Sequence, residues 1–233
     1  MSRGGDPPMS DDITAAKRYA GRSAAEAVAD GTVVGLGTGS TAAHAIRRVG
    51  ERVDAGLDVE GIPTSFQARE LAREATIPLT SLDAATPDVA IDGADQVADG
   101  QLIKGGGAAH AREKVVDTAA DRLLVVIDPR KEADVLDEPV PVEVLPSARI
   151  PVADAVEERG GDPDLRAARR KDGPVVTDNG NLVLDCAFGP IENPEGLAGS
   201  LASIPGVVAH GLFVDVADEI HAGTADGVEV RSV

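Results

Sequence analysis

Three short segments of this chain combine residue types that bind anions and move protons. The first reads Gly37-Thr38-Gly39-Ser40-Thr41 and lies between an apolar stretch and a stretch with helical spacing. Its glycines let an anion approach the backbone, and the unpaired N–H groups of the following helix would face the same point. It lacks the third glycine of a dinucleotide fingerprint and the lysine of a Walker loop. We expect a phosphate pocket; a glycine-rich turn with a Ser/Thr cap is the plainer alternative.

The second segment contains two aspartates, Asp92 and Asp95, directly after an apolar stretch at 87–91. Both carboxylates would lie at the C-terminal end of a strand, where open α/β sheets bind their ligands. They could hydrogen-bond the hydroxyl groups of a sugar or help to bind a divalent metal ion. Metal is the weaker interpretation, because no histidine or third acid lies nearby in the sequence. Two aspartates that cap a turn are the plainer alternative.

The third segment places Lys104 before Gly105-Gly106-Gly107, at the start of a predicted helix. The lysine supplies a compact positive charge, and the glycines allow close approach of an anion or oxyanion. Glu113 lies nine residues after Lys104, about two turns into the helix by this pattern. From its position alone, Glu113 is expected to be a solvated surface charge, because Arg112 and Lys114 flank it.

Alternating strands and helices would position these segments. Apolar stretches predict strands at 32–37, 57–64, 87–95 and 122–128. Amphipathic stretches predict helices at 12–29, 42–53, 65–74 and 108–120. Because strands rich in Val, Ile and Leu are typical of sheets buried on both faces, we predict an α/β fold. Its sheet would be mostly parallel and covered by helices on both faces.

After Lys131 the sequence becomes rich in proline and the order of predicted elements changes. It predicts a strand at 141–144, a helix at 148–160, a hairpin over 174–186 around Asn179-Gly180, a helix at 194–205 and a strand at 207–214. Segments 218–223 and 227–233 are expected to return to the first sheet. We therefore predict a larger α/β domain (12–138 and 211–233), an inserted smaller α+β domain (139–210) and a disordered tail (1–11).

The chain is strongly acidic, with 22 Lys and Arg against 40 Asp and Glu and a net charge of −18. This excludes a free-standing nucleic-acid binder, because the two partners would repel each other. The acids are mostly the short aspartate, and only five basic residues are lysine. Concentrated salt would screen the self-repulsion, so we hypothesise a protein that works at high intracellular salt. An ordinary acidic protein is the alternative.

Cysteine content and hydropathy indicate a cytoplasmic protein. The single cysteine, Cys186, excludes an internal disulfide and fits a reducing compartment. No apolar run is long enough to span a membrane, and the first residues lack the apolar segment of a signal peptide. We expect no membrane partner.

These segments occur together, in the same order, in one known family. The motifs GLGTGSTAAH, DGAD, KGGGAA with REK, PVEVLP, VVTDNGN, IPGVV and GTADGV make residues 12–233 resemble ribose-5-phosphate isomerase of the A type. The resemblance implies a larger α/β domain with a smaller α+β domain inserted. It implies interconversion of D-ribose 5-phosphate and D-ribulose 5-phosphate, in the non-oxidative pentose phosphate pathway, without metal or organic cofactor. The expected partners are the sugar phosphate and further copies of the chain, in a homodimer or homotetramer.

The resemblance also implies roles for single residues. Glu113 would be the base that moves a proton between C1 and C2 through an enediol, and Lys104 would stabilise the developing oxyanion. Asp92 and Asp95 would assist ring opening and hold hydroxyl groups.

Substrate binding is implied for two loops and two lysines. The loop from Gly37 to Thr41 and the glycines Gly105–Gly107 would bind substrate oxygens. Lys17 and Lys131 match basic positions for the phosphate. The chain departs from the family pattern in Gln96, where glutamate is usual, and in His110-Ala111, where Leu-Thr is commoner.

Other activities share this architecture. An acyl-CoA transferase would use its glutamate as a nucleophile and need room for a pantetheine arm, whereas this loop is short and lined with hydroxyl groups. An amino-sugar-phosphate isomerase would carry its own acid and histidine pattern, which is absent here. A sugar-phosphate sensor would keep the phosphate loop and lose the base. Lys104 and Glu113 together favour the isomerase.

If the acidity is an adaptation to salt, the melting temperature should rise between low salt and molar KCl. The added ions would screen the self-repulsion of a chain with a net charge of −18. Thermal unfolding followed by circular dichroism over a KCl series measures this shift. A melting temperature that stays level or falls would contradict the hypothesis.

Overall fold

The computed structural model describes residues 10–233. Residues 1–9 hold most of the predicted tail 1–11 and lie outside the described part. The first helix already begins at Ser10, inside the predicted tail, with Asp11 and Asp12 in its first turn. Acidic side chains there interact favourably with the helix dipole, which explains the earlier start.

Residues 10–233 contain six α-helices, two 3₁₀ helices (Pro129–Lys131 and Pro146–Ala148) and thirteen strands. The helices are α1 (Ser10–Glu26), α2 (Ala42–Asp54), α3 (Phe66–Glu74), α4 (His110–Ala119), α5 (Arg149–Glu157) and α6 (Pro194–Ala202). The strands are β1 (Thr32–Leu36), β2 (Val59–Pro63), β3 (Val89–Gly93), β4 (Gln96–Ala98), β5 (Gln101–Ile103), β6 (Leu123–Ile127), β7 (Val140–Val144), β8 (Asp162–Leu165), β9 (Leu182–Ala187), β10 (Val207–His210), β11 (Leu212–Phe213), β12 (Glu219–Gly223) and β13 (Val228–Ser232).

The largest sheet has six strands in the order β13-β12-β6-β3-β1-β2. All neighbours are parallel except the edge strand β13, which is antiparallel to β12. The predicted mostly parallel sheet is therefore confirmed. β12 and β13 come from the two C-terminal segments that were expected to return to it.

The two faces of this sheet are covered differently. Val34, Leu36 and Ile91 point to the face covered by α1, α2 and α3. On the opposite face, α4 packs Val116 close to Gly35 of β1. That second face also carries a three-stranded sheet, β11-β5-β4, which contributes Phe213 to its core. Helices thus flank both faces as predicted, and the small antiparallel sheet is an addition that the sequence pattern missed.

A separate four-stranded antiparallel sheet has the order β10-β7-β9-β8. Its core includes Val142, Val152, Leu184 and Leu201, from two strands and from α5 and α6. Cys186 is fully buried there, and burial raises the pKa of its thiol to about 12. Cys186 therefore packs as a small hydrophobic residue. The division into domains 12–138 with 211–233 and 139–210 stays a prediction.

The predicted hairpin over 174–186 is wrong in its first strand. β9 pairs instead with β8, while 174–178 makes only isolated bridges. Pro163 lies in β8 and hides it from pattern analysis, since proline cannot donate a ladder hydrogen bond. β8 lies at the edge of its sheet, where this loss is tolerated.

The predicted strand 207–214 is broken at Gly211 into β10 and β11, which belong to different sheets. The N–H of Gly211 donates to Pro141, and its carbonyl accepts from the N–H of Lys104. A side chain at this position would collide with the carbonyl oxygen of Lys104. Glycine is required here because the chain changes sheets against the backbone of a candidate catalytic residue.

Hydropathy over the helices of residues 10–233 reveals no helix long and apolar enough to cross a membrane.

Candidate active site

The candidate site lies where β1 and β3 end and where β5 leads into the glycine-rich segment. The loop after β1 packs tightly on β3, because a side chain on Gly37 would collide with the carboxylate of Asp92. Asp92 Oδ1 accepts the N–H of Thr38 at 2.9 Å and that of Gly93 at 2.7 Å. Asp92 thus joins the first two predicted segments through Thr38. Its hydrogen bond from Gly93 is the only one of the two that lies within its own turn.

Asp95 joins the second segment to the third. Its Oδ2 accepts the N–H of Gly106 at 2.6 Å, and its own N–H donates to Ile103. The two aspartates therefore cross-link three loops that are far apart in the sequence.

A cavity of about 190 Å³ opens above these loops. It is lined by eleven of the fourteen predicted site residues: Lys17, Thr38, Gly39, Ser40, Thr41, Asp95, Gly105, Gly106, Gly107, Glu113 and Lys131. Gly37, Asp92 and Lys104 are not on the wall. Gln67, Asp128 and Arg130 also line it and were not predicted. No short motif identifies these three residues. Asp128 and Arg130 lie within three residues of the predicted Lys131, which is the one signal that could have found them.

Lys104 is buried behind the wall with three carboxyl groups around it. Its Nζ lies 2.8 Å from Asp92 Oδ2, 3.3 Å from Glu113 Oε2 and 3.7 Å from Asp117 Oδ2. It also donates to the carbonyl oxygen of Gly93 at 2.6 Å. Asp117 was missed by the sequence analysis, although its spacing of four residues from Glu113 places both on one helix face.

Glu113 lies in the first turn of α4, not two turns into the helix as predicted. The helix starts late because Gly105 and Ala108 have φ values of 107° and 57°, which are not helical. Glu113 is also only 4% exposed, so its interpretation as a solvated surface charge is wrong.

Burial and neighbouring charges change the pKa values of this cluster. Burial raises the pKa of Glu113 to about 8, with a further contribution from Asp92, while Lys104 acts in the opposite direction. Burial alone would lower the pKa of Lys104, but Asp92, Glu113 and Asp117 outweigh it and raise that pKa. Lys104 is therefore a permanent cation beside a carboxyl group that changes its protonation near neutral pH.

The other end of the cavity is positively charged. Lys17, on α1, donates to Ser40 Oγ at 2.8 Å and lies 3.9 Å from Asp128 Oδ2. Arg130 and Lys131 line the same end. The N-terminus of α2 follows Thr41, whose side chain makes no cap hydrogen bond. The simple Ser/Thr cap is therefore not the arrangement observed. An anion at this end would meet Lys17, Lys131, Arg130, which is paired with Asp128 at 2.8 Å, and a helix N-terminus.

The four-stranded sheet braces the third segment through an arginine. Arg166 donates to the carbonyl oxygens of Gly105 at 2.8 Å and Gly106 at 3.3 Å. Asp185 on β9 holds the same guanidinium, accepting its Nε–H at 2.8 Å and pairing with a second nitrogen. Sequence analysis missed this contact because 61 residues separate Arg166 from Gly105.

A second brace comes from the turn at 178–179. Asp178 accepts the N–H of Phe66 at 2.7 Å, and Asn179 accepts from Arg112 Nε at 2.7 Å. Buried Glu143 holds this turn by accepting hydrogen bonds from Thr177, Asn179 and Asn181. The Asn179-Gly180 signal thus marks a docking turn and not a plain hairpin.

The two departures from the family pattern lie outside the cavity wall. Gln96 accepts from the N–H groups of Asp137 and Glu138 and donates to the Asp137 carboxylate. An ionised glutamate could accept the same N–H groups but could not donate. His110 is fully buried against Gly105, and burial lowers the pKa of its imidazole to about 3. Within residues 10–233, no group of three or more His, Cys, Asp or Glu side chains is arranged to hold a metal ion.

Comparison with known proteins assigns the chain to a family. Residues 60–227 match the model of ribose 5-phosphate isomerase A (phosphoriboisomerase A). The chain is 71% identical to ribose-5-phosphate isomerase A of Haloarcula marismortui over 219 residues, covering 94% of this chain and 96% of the relative. It is 69% identical to that of Natronomonas pharaonis over 217 residues, covering 93% and 96%.

Solved structures agree. The structure of ribose 5-phosphate isomerase A from Methanocaldococcus jannaschii has a TM-score of 0.90 at 44% identity, covering 93% of this chain and 98% of that one. A D-ribose-5-phosphate isomerase in complex with phospho-erythronic acid has a TM-score of 0.93 at 41% identity, covering 95% and 100%. The chain belongs to the ribose 5-phosphate isomerase A family.

Proposed function

We propose that the chain is an aldose–ketose isomerase that interconverts D-ribose 5-phosphate and D-ribulose 5-phosphate through an enediol. The observation that carries this proposal is Glu113 on the wall at one end of a cavity, with Lys104 behind it at 3.3 Å and cationic groups at the other end. Such a cavity suits a sugar with reacting carbons at one end and a phosphate at the other. The names of the relatives support the same substrate.

Glu113 moves the proton in this proposal. Its carboxylate takes the proton from C2 of the open-chain aldose, the C2–H electron pair forms the C1–C2 double bond, and the carbonyl oxygen gains negative charge. The hydroxyl proton on O2 passes to O1, which gives the enediolate with its negative charge on O2. The same carboxyl group then returns the first proton to C1 as the electron pair on O2 forms the C2 carbonyl, and O1 remains a hydroxyl group. A carboxyl group whose pKa is raised to about 8 is well matched to this task near neutral pH.

Lys104 stabilises the charge that moves during this step. As Glu113 gains a proton it loses its negative charge, while the substrate oxygen gains one. The buried ammonium of Lys104 is fixed by Asp92 and the carbonyl of Gly93, so it needs no reorganisation when that charge develops. Asp92 would act by holding Lys104, and Asp95, on the cavity wall, would contact sugar hydroxyl groups and assist ring opening. No step uses a metal or organic cofactor.

The phosphate would bind at the cationic end. Lys17, Arg130, Lys131 and the N-terminus of α2 supply charge and donors there, with Ser40 already held by Lys17. A phosphate entering a chain with a net charge of −18 is repelled at long range, so capture depends on these local groups.

Three broader assignments accompany this function. Work at high salt is supported by relatives from Haloarcula marismortui and Halobacterium salinarum. A cytoplasmic location and a homodimer or homotetramer are predictions from the sequence.

Replacing Glu113 by glutamine should leave the fold intact and reduce kcat by roughly 10²-fold or more, because the amide cannot accept a proton. A coupled assay of ribulose 5-phosphate formation measures this. Glu70→Gln makes the same chemical change on the exposed face of α3 and is the matched control. Retention of more than about a tenth of the activity would remove Glu113 from the role of base.

The rate should depend on the protonation of Glu113. Because the ionised form is the base, kcat/KM should rise with pH up to about 8 and then level off. The second ionisation of the substrate phosphate, with a pKa of about 6, gives a separate limb that is absent from the kcat profile. A kcat/KM that is flat between pH 7 and 9, above the phosphate ionisation, would contradict the assignment.

Lys17→Ala should raise KM for ribose 5-phosphate and change kcat less, with a loss of about 1–3 kcal/mol in kcat/KM for a charged hydrogen bond. Lys171→Ala removes the same charge from an exposed position and is the control. Unphosphorylated ribose should be a very poor substrate, because phosphate binding orients the reacting carbons. Equal kcat/KM for ribose and ribose 5-phosphate would show that no phosphate site exists.

A further inference from the structure

Asp117 is a buried acid that the proposed mechanism does not use. It lies on α4 one turn after Glu113, and its side chain is only 1% exposed. The charged or titratable groups that face it are Lys104 from the segment after β5, Asp92 from β3 and Glu113 from α4 itself. Three carboxyl groups therefore surround one ammonium group.

The contacts of Lys104 are unequally shared among these acids. Asp92 and Glu113 approach its Nζ to 2.8 and 3.3 Å, whereas Asp117 remains at 3.7 Å, beyond normal hydrogen-bond length. Among residues 10–233, no donor reaches either oxygen of Asp117. An ionised carboxylate buried in this way would be costly, because it lacks both water and hydrogen-bond donors.

A protonated carboxyl group removes this cost, because it becomes a hydrogen-bond donor. Asp92 is the candidate acceptor, because Asp92 Oδ2 and Asp117 Oδ2 both lie against the same ammonium group, 2.8 and 3.7 Å from Lys104 Nζ. Asp92 Oδ2 is itself buried and receives no well-aligned hydrogen bond within the described chain, although Lys104 Nζ is close to it. One proton between the two carboxyl groups satisfies both.

We propose that Asp117 is a positioning residue that keeps its proton and donates a hydrogen bond to Asp92, thereby holding the Asp92 carboxylate against Lys104. This rests on the proposed function, in which Lys104 and Glu113 act on the sugar. A neutral Asp117 adds no negative charge beside Glu113. The pKa of Asp117 is raised well above its ordinary value, first by burial and then by Asp92, in agreement with this role.

Two substitutions of Asp117 separate its hydrogen-bond donation to Asp92 from its own ionisation. Asp117→Ala removes the donor and should lower kcat by about tenfold or more, the loss expected for a hydrogen bond to a charged group, with KM nearly constant. Asp117→Asn can still donate to Asp92 but cannot ionise, so it should recover most of this loss and leave the acid limb of kcat/KM in place. Thr118→Ala, on the exposed side of the same helix, is the matched control.

Two outcomes of the kinetic test would overturn the proposal. A shift of the acid limb to lower pH in Asp117→Asn would mean that an ionised Asp117 had been raising the pKa of Glu113. Full kcat in Asp117→Ala would mean that the hydrogen bond to Asp92 positions nothing.

Infrared spectroscopy tests the proton without turnover. The difference between Glu113→Gln and the double variant Glu113→Gln/Asp117→Asn at pH 7 should contain the C=O stretch of a protonated carboxyl group. The shared Glu113→Gln background removes the proton of Glu113 from the comparison. Absence of the band would overturn the proposal even if Asp117→Ala fails to fold. Presence of the band, together with a wild-type enzyme that does not act on ribose 5-phosphate, would locate the failure in the proposed function instead.

Discussion

The burial of the Lys104 ammonium is the constraint on which the rest of the site depends. An ammonium group can be removed from water only if acceptors replace its hydration, and here Asp92, Glu113 and the carbonyl of Gly93 do so. The same contacts hold the positive charge of Lys104 in a dry environment, where electrostatic interactions are stronger than in water. The contacts that allow Lys104 to be buried are therefore the same contacts that place its charge beside Glu113.

That constraint explains why several glycines surround the site. The backbone of Lys104 pairs with Gly211, and a side chain at 211 would fill the space of the Lys104 carbonyl. On the other side, Gly37 lets the loop after β1 approach Asp92. These close approaches bring the ends of β1, β3 and β5 together, so that Lys104, which follows β5, contacts Asp92 and Gly93 of β3. The glycines are therefore needed for packing around a charge, in addition to any contact with substrate.

The four-stranded sheet contributes no residue to the cavity wall, yet it holds the loops that form it. Arg166 binds two carbonyl oxygens of the glycine-rich segment, and Asp178 binds the start of α3. Both contacts use neutral backbone groups as partners, so they fix loop shape without adding charge to the cavity. The buried Glu143 supports the second of these contacts, because its hydrogen bonds keep the turn at 178–179 in place.

The sequence by itself determined the elements of the larger sheet and the three loops, and its resemblance to a known family named Lys104 and Glu113. Each of these depends on local patterns: apolar periodicity, glycines before a helix, or motifs that are contiguous in the chain. It did not determine that Glu113 is buried, because flanking Arg112 and Lys114 are typical of a surface helix. Nor did it identify Asp117, Arg166 or β8, whose roles arise from contacts with residues far away in the chain. Only the tertiary structure decided these, since burial and the distance between charges depend on how separate segments pack together.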